Sequence, residues 1–255
     1  MGVLCFFGCE QFSKNAQPET AFYIKDLELP KTNFGGQVVH YKGFSLEYAE
    51  KYEQPYWVAY YLSAERLAAE NTSRKDKFKE DPNIVTGSAE LSDYKNSGYD
   101  RGHLAPSADM KWDLQAMDEC FYMSNMSPQN KNFNQKTWKY LEEYVRDRAV
   151  TDKLLYIVTG PILEDGLPTI GDNEVAIPKY YYKALLDYTG EEVKAIAFIM
   201  PNQSSGKKIE PFALTIDELE TRTAIDFFPG LPDSLEIELE STLDKNLWFG
   251  KSYGN

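Results

Sequence analysis

Runs of apolar and aromatic residues, separated by polar stretches, predict several short strands along this chain. Residues 56–62 read Tyr-Trp-Val-Ala-Tyr-Tyr-Leu, a run of strand-forming side chains that follows Pro55 and predicts a buried strand. The same pattern predicts strands at 154–158, 180–186 and 193–200, and a turn sequence at 187–190 joins the last two as a hairpin.

Two other segments have the features of helices. Residues 134–148 contain helix-forming side chains and neither proline nor glycine. A second helix is predicted to begin near Thr215, where Thr-Ile-Asp-Glu has the spacing of a capping box. Together these elements predict an α+β fold with a central antiparallel β-sheet flanked by helices.

Length and composition are those of a folded single domain. The chain has 255 residues, of which 42% are hydrophobic and 26% charged, and no linker-like segment divides it. The formal net charge of −13 argues against a protein that coats nucleic acid. The charge is uneven, however, because residues 94–148 hold eight basic and eight acidic side chains, which is compatible with a local basic groove.

The first 20 residues predict a segment separate from the domain. Residues 1–9 are apolar and too few to span a bilayer, and Cys9 follows a glycine as the cysteine of a bacterial lipoprotein signal does. We therefore expect an exported bacterial protein with a signal or anchor remnant and a polar tether at 1–20, a lipid anchor at Cys9, no integral membrane span, and a domain at 21–255. The alternative is that this apolar start is a remnant of the gene start that is merely hydrophobic and has no targeting role.

The first candidate for chemistry is the sequence Asp100-Arg101-Gly102-His103. A histidine titrates near neutral pH and can take a proton from water, while the planar fork of an arginine matches phosphate oxygens. The alternative is a buried, hydrogen-bonded histidine beside an arginine in an ordinary ion pair. These four residues alone do not decide between phosphodiester cleavage and a structural role.

A second cluster lies on the first predicted helix. Asn134, Trp138, Glu142 and Arg146 recur at steps of four and are therefore predicted to share one helix face. The alternative is a solvated face closed by a Glu142–Arg146 pair. Together with His103, the stripe indicates a cation site facing a general base. Amide, carboxylate and water ligands favour Mg²⁺, since the three cysteines lack the paired spacing of a zinc site.

Three stretches, in this order and spacing, are similar to one known family. They are 100–106 (Asp-Arg-Gly-His-Leu-Ala-Pro), 125–129, and Asn134 with Trp138, and weaker similar stretches extend over about residues 34–249. On these residues the chain resembles the DNA/RNA non-specific endonucleases of the ββα-metal type, the endonuclease G-like family. The resemblance implies a ββα-metal catalytic motif within the α+β fold.

The resemblance also implies roles for seven residues of this sequence. His103 matches the general base, Asn134 the direct Mg²⁺ ligand, and Glu142 an acid that reaches the metal through water. The other four match residues that contact phosphate or support the site: Arg101, Arg146, Asn125 and, as the upstream cation, Arg74, ranked ahead of Lys75 and Lys77.

The activity that the resemblance implies is Mg²⁺-dependent hydrolysis of internal phosphodiester bonds in DNA and RNA, leaving 5′-phosphate and 3′-hydroxyl ends. Two alternatives stay open. One is a phosphodiesterase acting on small or lipid phosphoesters, which the acidic surface would suit. The other is a surface module that binds nucleic acid through a vestigial site. The oligomeric state is open as well, a homodimer included.

Overall fold

The computed structural model describes residues 23–74, 76–190, 192–204 and 206–250. The segment at 1–20, with Cys9, lies outside the described residues, so the tether and the boundary of the domain stay predictions. Within the described ranges, no helix is both long enough and apolar enough to cross a bilayer. Cys120 is buried as a free thiol in the core, as its apolar neighbours indicate.

A seven-stranded antiparallel sheet is the centre of the fold. The described residues form eleven strands: β1 (Gln37–His40), β2 (Ser45–Ala49), β3 (Gln54–Ser63), β4 (Tyr99–His103), β5 (Met126–Asn130), β6 (Leu154–Pro161), β7 (Thr169–Ile170), β8 (Val175–Ala176), β9 (Tyr180–Asp187), β10 (Lys194–Pro201) and β11 (Ala213–Leu214). The large sheet has the order β1-β2-β3-β6-β9-β10-β11, and β4–β5 and β7–β8 form two small antiparallel pairs.

The four predicted strands are confirmed as β3, β6, β9 and β10, and the last two pair as a hairpin. Pro55 lies inside β3 and not before it, which corrects the predicted start of this strand. Pro55 faces Tyr48, where the register of β2 against β3 shifts between Glu47 and Tyr48. A residue without an N–H group is tolerated at such an irregularity because the regular ladder is already interrupted there.

Seven α-helices are present among the described residues: α1 (Ala64–Ala68), α2 (Leu91–Tyr94), α3 (Leu114–Glu119), α4 (Lys139–Asp152), α5 (Ile216–Thr223), α6 (Asp233–Ser241) and α7 (Lys245–Phe249). The predicted cap of α5 is confirmed. The Thr215 side chain accepts from Glu218 N–H, and the Glu218 side chain accepts from Thr215 N–H. This reciprocal pair satisfies two backbone donors that a helix start otherwise leaves free.

The predicted helix at 134–148 exists, but it begins with a wider turn than expected. A π-helical segment, Phe133–Trp138, runs directly into α4, and Lys139 N–H donates to the carbonyl of Asn134, five residues back. Trp138 is fully buried in the core whereas Asn134 is half-buried, so of the predicted stripe the tryptophan is a core residue.

Each face of the large sheet covers its own apolar core. One face packs against α4, with Tyr60, Ile157 and Leu185 among the buried residues. The other face packs against α5 and α6. Residues alternate between the two faces along each strand, and the inner strands are therefore apolar almost throughout. The β4–β5 hairpin and α4 lie on the first face, and they carry the candidate functional residues.

Candidate active site

The β4–β5 hairpin and the helix that follows it form a strand–strand–helix unit. His103 at the end of β4 faces Met126 at the start of β5, and Asp100 faces Gln129. The chain then enters the helical segment that begins at Phe133. This arrangement brings residues of β4 and of the helix, which are far apart along the chain, to one side of the unit.

A cleft of about 880 Å³ lies on this side of the unit. Six of the seven residues implied by the resemblance line it: Arg74, Arg101, His103, Asn134, Glu142 and Arg146. Two further lysines and two further acids share its wall: Lys95, Lys139, Asp76 and Asp100. Five cationic side chains therefore face three carboxylates, so the cleft is cationic although the whole chain carries a charge of −13.

His103 lies in an aromatic pocket at the wall of the cleft. Its ring centroid lies 5.5 Å from that of Phe78 and 5.0 Å from that of Phe121. Burial, reinforced by the neighbouring guanidinium of Arg74, lowers the pKa of His103 to about 3. Nε2 is buried and has no hydrogen-bond partner among the described residues. The imidazole is therefore neutral at physiological pH, the state in which it can accept a proton.

Asn134 is oriented by Asp100. Asn134 Nδ2 donates to Asp100 Oδ2 at 3.0 Å, and Gln135 Nε2 donates to the same oxygen at 2.9 Å. A carboxylate only accepts, so this contact directs the amide nitrogen of Asn134 towards Asp100. The amide oxygen of Asn134 takes no part in this contact, and Asn134 lines the cleft. Asp100 thus orients the proposed metal ligand, a contact that sequence spacing alone does not reveal.

Arg146 and Glu142 are half-buried and belong to a charge network at the floor of the cleft, built around the buried Asp109. Arg146 Nη1 donates to Asp109 Oδ1 at 3.0 Å, and Tyr60 Oη donates to Asp109 Oδ2, also at 3.0 Å. In the described part of the chain Arg146 is paired with Asp109 and not with Glu142. The alternative interpretation, a solvated helix face closed by a Glu142–Arg146 pair, is therefore wrong. Burial raises the pKa of Glu142 to about 7, and the ammonium of Lys183 opposes this rise.

The other two arginines of the cleft are fixed by different contacts. The guanidinium of Arg101 lies over the ring of Phe78, 4.2 Å from its centroid. Arg74 donates to Ser107 Oγ at 3.2 Å and pairs with Asp76 at 2.7 Å. Lys77 is exposed and does not line the cleft, and Lys75 lies outside the described residues. The structure thus gives the ranking of Arg74 over Lys77 a geometric basis.

Asn125 does not line the cleft but supports it from behind. The side chain is fully buried, accepts from Ala105 N–H at 2.9 Å, and donates to the carbonyls of Ala105 (3.0 Å) and Cys120 (2.9 Å). Leu104 N–H donates to the backbone carbonyl of Asn125 as well. These bonds fix the chain directly after His103. Asn125 is therefore a supporting residue and not a contact to substrate.

The buried members of the site were not predicted from the sequence. Asp109 lies six residues after His103, and no sequence pattern distinguishes it from a surface acid. Lys183 did carry a signal, because a lysine inside the predicted strand 180–186 interrupts an otherwise apolar and aromatic run. Both residues are explained only once the sheet and α4 have been brought together.

The fold and the cleft define a ββα-type architecture: a strand–strand–helix unit that gathers a histidine, an asparagine and arginines in one cationic groove. The chain belongs to the DNA/RNA non-specific endonuclease family, whose sequence profile matches residues 27–234. The family resemblance and the α+β fold with its ββα motif are thereby confirmed. The matched range lies inside the segment expected for the domain.

Named relatives agree with this membership. The mitochondrial nuclease EXOG of Danio rerio is 35% identical over 213 residues, 77% of this chain and 62% of the relative. The mitochondrial nuclease of Saccharomyces cerevisiae is 34% identical over 73% of this chain and 64% of its own, and human endonuclease G is 33% identical over 80% and 74%. The chain thus spans slightly less than two thirds of the zebrafish and yeast relatives.

A solved structure shares the fold. The crystal structure of the EndoG/EndoGI complex, described as showing the mechanism of EndoG inhibition, is similar with a TM-score of 0.73 at 31% identity. The match covers 78% of this chain and 88% of that one.

The expectation of an exported bacterial protein is wrong. The zebrafish, yeast and human relatives are mitochondrial nucleases of eukaryotes. A short apolar stretch at 1–9 without a basic flank is too weak a signal to identify a secretory leader. The lipid anchor at Cys9 depended on that expectation, and Cys9 itself lies outside the described residues.

Proposed function

We propose that this protein is a Mg²⁺-dependent nuclease that hydrolyses internal phosphodiester bonds of DNA and RNA and leaves 5′-phosphate and 3′-hydroxyl ends. One observation carries the proposal: a neutral histidine, an oriented asparagine amide and three arginines line a single cationic cleft. The relatives, named as nucleases, support the same activity, and their names point to a mitochondrial location for this protein.

The donor set of the cleft fits a hard divalent cation. Asn134 contacts Asp100 through its amide nitrogen, so the amide oxygen is the atom that it would offer to an ion, and the Glu142 carboxylate lines the same cleft. Oxygen ligands with few direct protein contacts are what Mg²⁺ prefers. Asn134 would hold the ion directly and Glu142 through water. When bound, the ion would neutralise charge on the departing oxygen. The clusters of three acids in the described chain, both containing Glu240, lie outside the cleft.

The residues of the chain supply the remaining chemistry. Neutral His103 would take a proton from a water molecule, and the resulting hydroxide would attack phosphorus in line with the departing 3′ oxygen. Arg101 and Arg146 would bind the non-bridging oxygens, where negative charge increases as the new bond forms. Arg74, held by Ser107 and Asp76 at the rim, is the third cation placed to share that charge.

Both DNA and RNA are suitable substrates for this arrangement. The cleft offers guanidinium and ammonium groups, which bind phosphate and do not recognise the identity of a base. The proposed mechanism uses neither a 2′-hydroxyl nor a base edge. The acidic exterior would repel nucleic acid away from the cleft and so would favour release of product. A weak sequence preference is therefore expected.

The test is plasmid nicking by the purified protein with and without Mg²⁺. His103→Ala and Asn134→Ala should each nearly abolish nicking, since a general base alone contributes about 10²- to 10⁴-fold. Matched controls are His40→Ala, which removes the exposed second histidine, and Asn132→Ala, which removes an exposed asparagine two residues before the proposed ligand. Circular dichroism checks that each variant is folded.

The result that overturns the proposal is unchanged nicking by either site variant. Release of product from a small chromogenic phosphodiester, compared with plasmid cleavage, separates the alternative phosphodiesterase from the nuclease. A folded wild-type protein that retards DNA but cleaves neither substrate would identify the vestigial binding module instead.

A further inference from the structure

A short helical turn, Ser107–Met110, follows the motif histidine and supports two arginines of the cleft. Ser107 Oγ accepts from Arg74 Nη1 at 3.2 Å, and Asp109 Oδ1 accepts from Arg146 Nη1 at 3.0 Å. These two arginines come from distant parts of the chain. They are nevertheless both bonded to side chains of one short segment, which the chain reaches directly after the motif.

Asp109 is the buried acid of this turn. Its side chain is 1% exposed, and it does not line the cleft. Its second oxygen, Oδ2, accepts from the hydroxyl of Tyr60 at 3.0 Å, and Tyr60 is itself buried in β3. One carboxylate oxygen is thus bonded to the large sheet and the other to α4. Because both oxygens are engaged and the side chain does not reach the cleft, Asp109 is placed to contact neither substrate nor an ion.

Arg146 connects this buried acid with the cleft. Its side chain is 20% exposed and lines the cleft. The bond to Asp109 is the single side-chain hydrogen bond that Arg146 makes to the described residues. A guanidinium carries five N–H donors in a planar fork, so most of them are left for phosphate oxygens. An arginine that is fixed in advance loses less conformational freedom when it binds phosphate.

Stability alone does not account for a buried acid at this position. Burial removes the water that stabilises a carboxylate, and replacing a buried ion pair by apolar groups is often neutral or stabilising. The same helix carries a second pair for comparison, because Arg148 bonds to Asp152 at 2.7 Å and both side chains are largely buried. Of these two pairs, only the pair of Asp109 and Arg146 includes a side chain that lines the cleft.

We propose that Asp109 is a positioning residue for the nuclease reaction, which holds the Arg146 guanidinium in the orientation that meets the non-bridging phosphate oxygens. Tyr60 fixes the Asp109 carboxylate from the side of the sheet. The inference rests on the proposed function, in which Arg146 binds the phosphate. A cation that is already oriented stabilises the charge of the transition state without rearrangement at the moment of reaction. Asp109 therefore acts through Arg146.

The first experiment separates kcat from KM in plasmid nicking. Asp109→Ala should lower kcat about 100-fold, the loss that a displacement of about 1 Å in the site can cause. KM for plasmid and the Mg²⁺ concentration for half-maximal rate should change little, because the other cations and the proposed metal ligand are untouched. Asp109→Asn keeps an uncharged acceptor for Arg146 and should lose less. In an Arg146→Met background, Asp109→Ala should have little further effect on kcat.

Asp152→Ala is the matched control. It removes the acid of the other ion pair on α4, which is buried to a similar degree and lies away from the cleft. Its melting temperature should fall, as that of Asp109→Ala should, because each change leaves a largely buried arginine without its partner. Only Asp109→Ala should lose kcat.

A second readout does not depend on activity. The sequence contains six arginines, so few Nε–H signals are present in the ¹⁵N NMR spectrum, and Arg146→Met identifies the signal of Arg146. In EDTA this group should be rigid in the wild-type protein, with an order parameter of about 0.85, and flexible in Asp109→Ala, with a value below about 0.6. The Arg148 signal should be the same in both proteins.

Each outcome decides the proposal. An unchanged kcat in folded Asp109→Ala, an equal loss in Asp152→Ala, or losses of rate that multiply in the double variant overturns it. A raised Mg²⁺ requirement in Asp109→Ala would assign Asp109 to the metal site and overturns it as well. If Asp109→Ala does not fold, Asp109→Asn decides, and a wild-type kcat in that variant overturns the proposal. A wild-type protein without nuclease activity would refute the proposed function instead, and the order parameter would still decide whether Asp109 holds Arg146.

Discussion

Asn125→Ala tests how the loop behind His103 is held. The buried Asn125 side chain makes three hydrogen bonds, one accepted from Ala105 N–H and two donated to the carbonyls of Ala105 and Cys120. Alanine makes none of them. Each orphaned buried group costs about 1–3 kcal/mol. The free energy of unfolding should therefore fall by about 3 kcal/mol or more, a large part of the roughly 5–15 kcal/mol of a typical domain.

Urea unfolding followed by tryptophan fluorescence measures this loss. The control is Asn71→Ala, which removes one exposed bond to the carbonyl of Trp112 and should cost less than about 1 kcal/mol. Nicking should fall as well in Asn125→Ala, because Ala105 follows His103 by two residues. A loss no larger than that of Asn71→Ala would refute the view that this amide holds the loop.

Two further predictions concern stability. Gly102→Ala should lower the free energy of unfolding in urea by about 1–3 kcal/mol, because a Cβ at this position would lie 2.2 Å from Gln129 Cδ. Gly230→Ala, where the nearest contact of the added Cβ is 3.2 Å, is the milder control, and equal losses in the two variants would contradict the predicted clash. Burial and neighbouring acids raise the pKa of Glu240 to about 8, so its charge destabilises the folded state as pH rises from about 4.5 to about 8. Glu240→Gln should therefore be more stable than wild type at pH 8.5 and similar at pH 4, whereas exposed Glu238→Gln should show no such trend in melting temperature against pH.

The parts of the fold that depend on local sequence could be predicted. Strands β3, β6, β9 and β10 are runs of β-branched and aromatic residues long enough to be recognised alone, and the Thr215 cap is a local hydrogen-bond pattern. The resemblance to the family likewise assigned seven residues to one site, and six of them line the cleft. No role could be assigned to Asp109 and Lys183 from the sequence, because their roles depend on contacts between the sheet and α4 that no local pattern encodes.

The π-helical turn at Phe133–Trp138 shows how packing decides the geometry of the site. Trp138 lies in the core at the end of this turn, while Asn134, near its start, lines the cleft. Trp138 packs against Phe133 and Tyr181, with ring centroids 5.4 and 5.7 Å apart, and its full burial contributes about 2–3 kcal/mol or more. This apolar contribution offsets the poorer geometry of the turn, and Asn134 in the same turn bonds to Asp100 at the wall of the cleft.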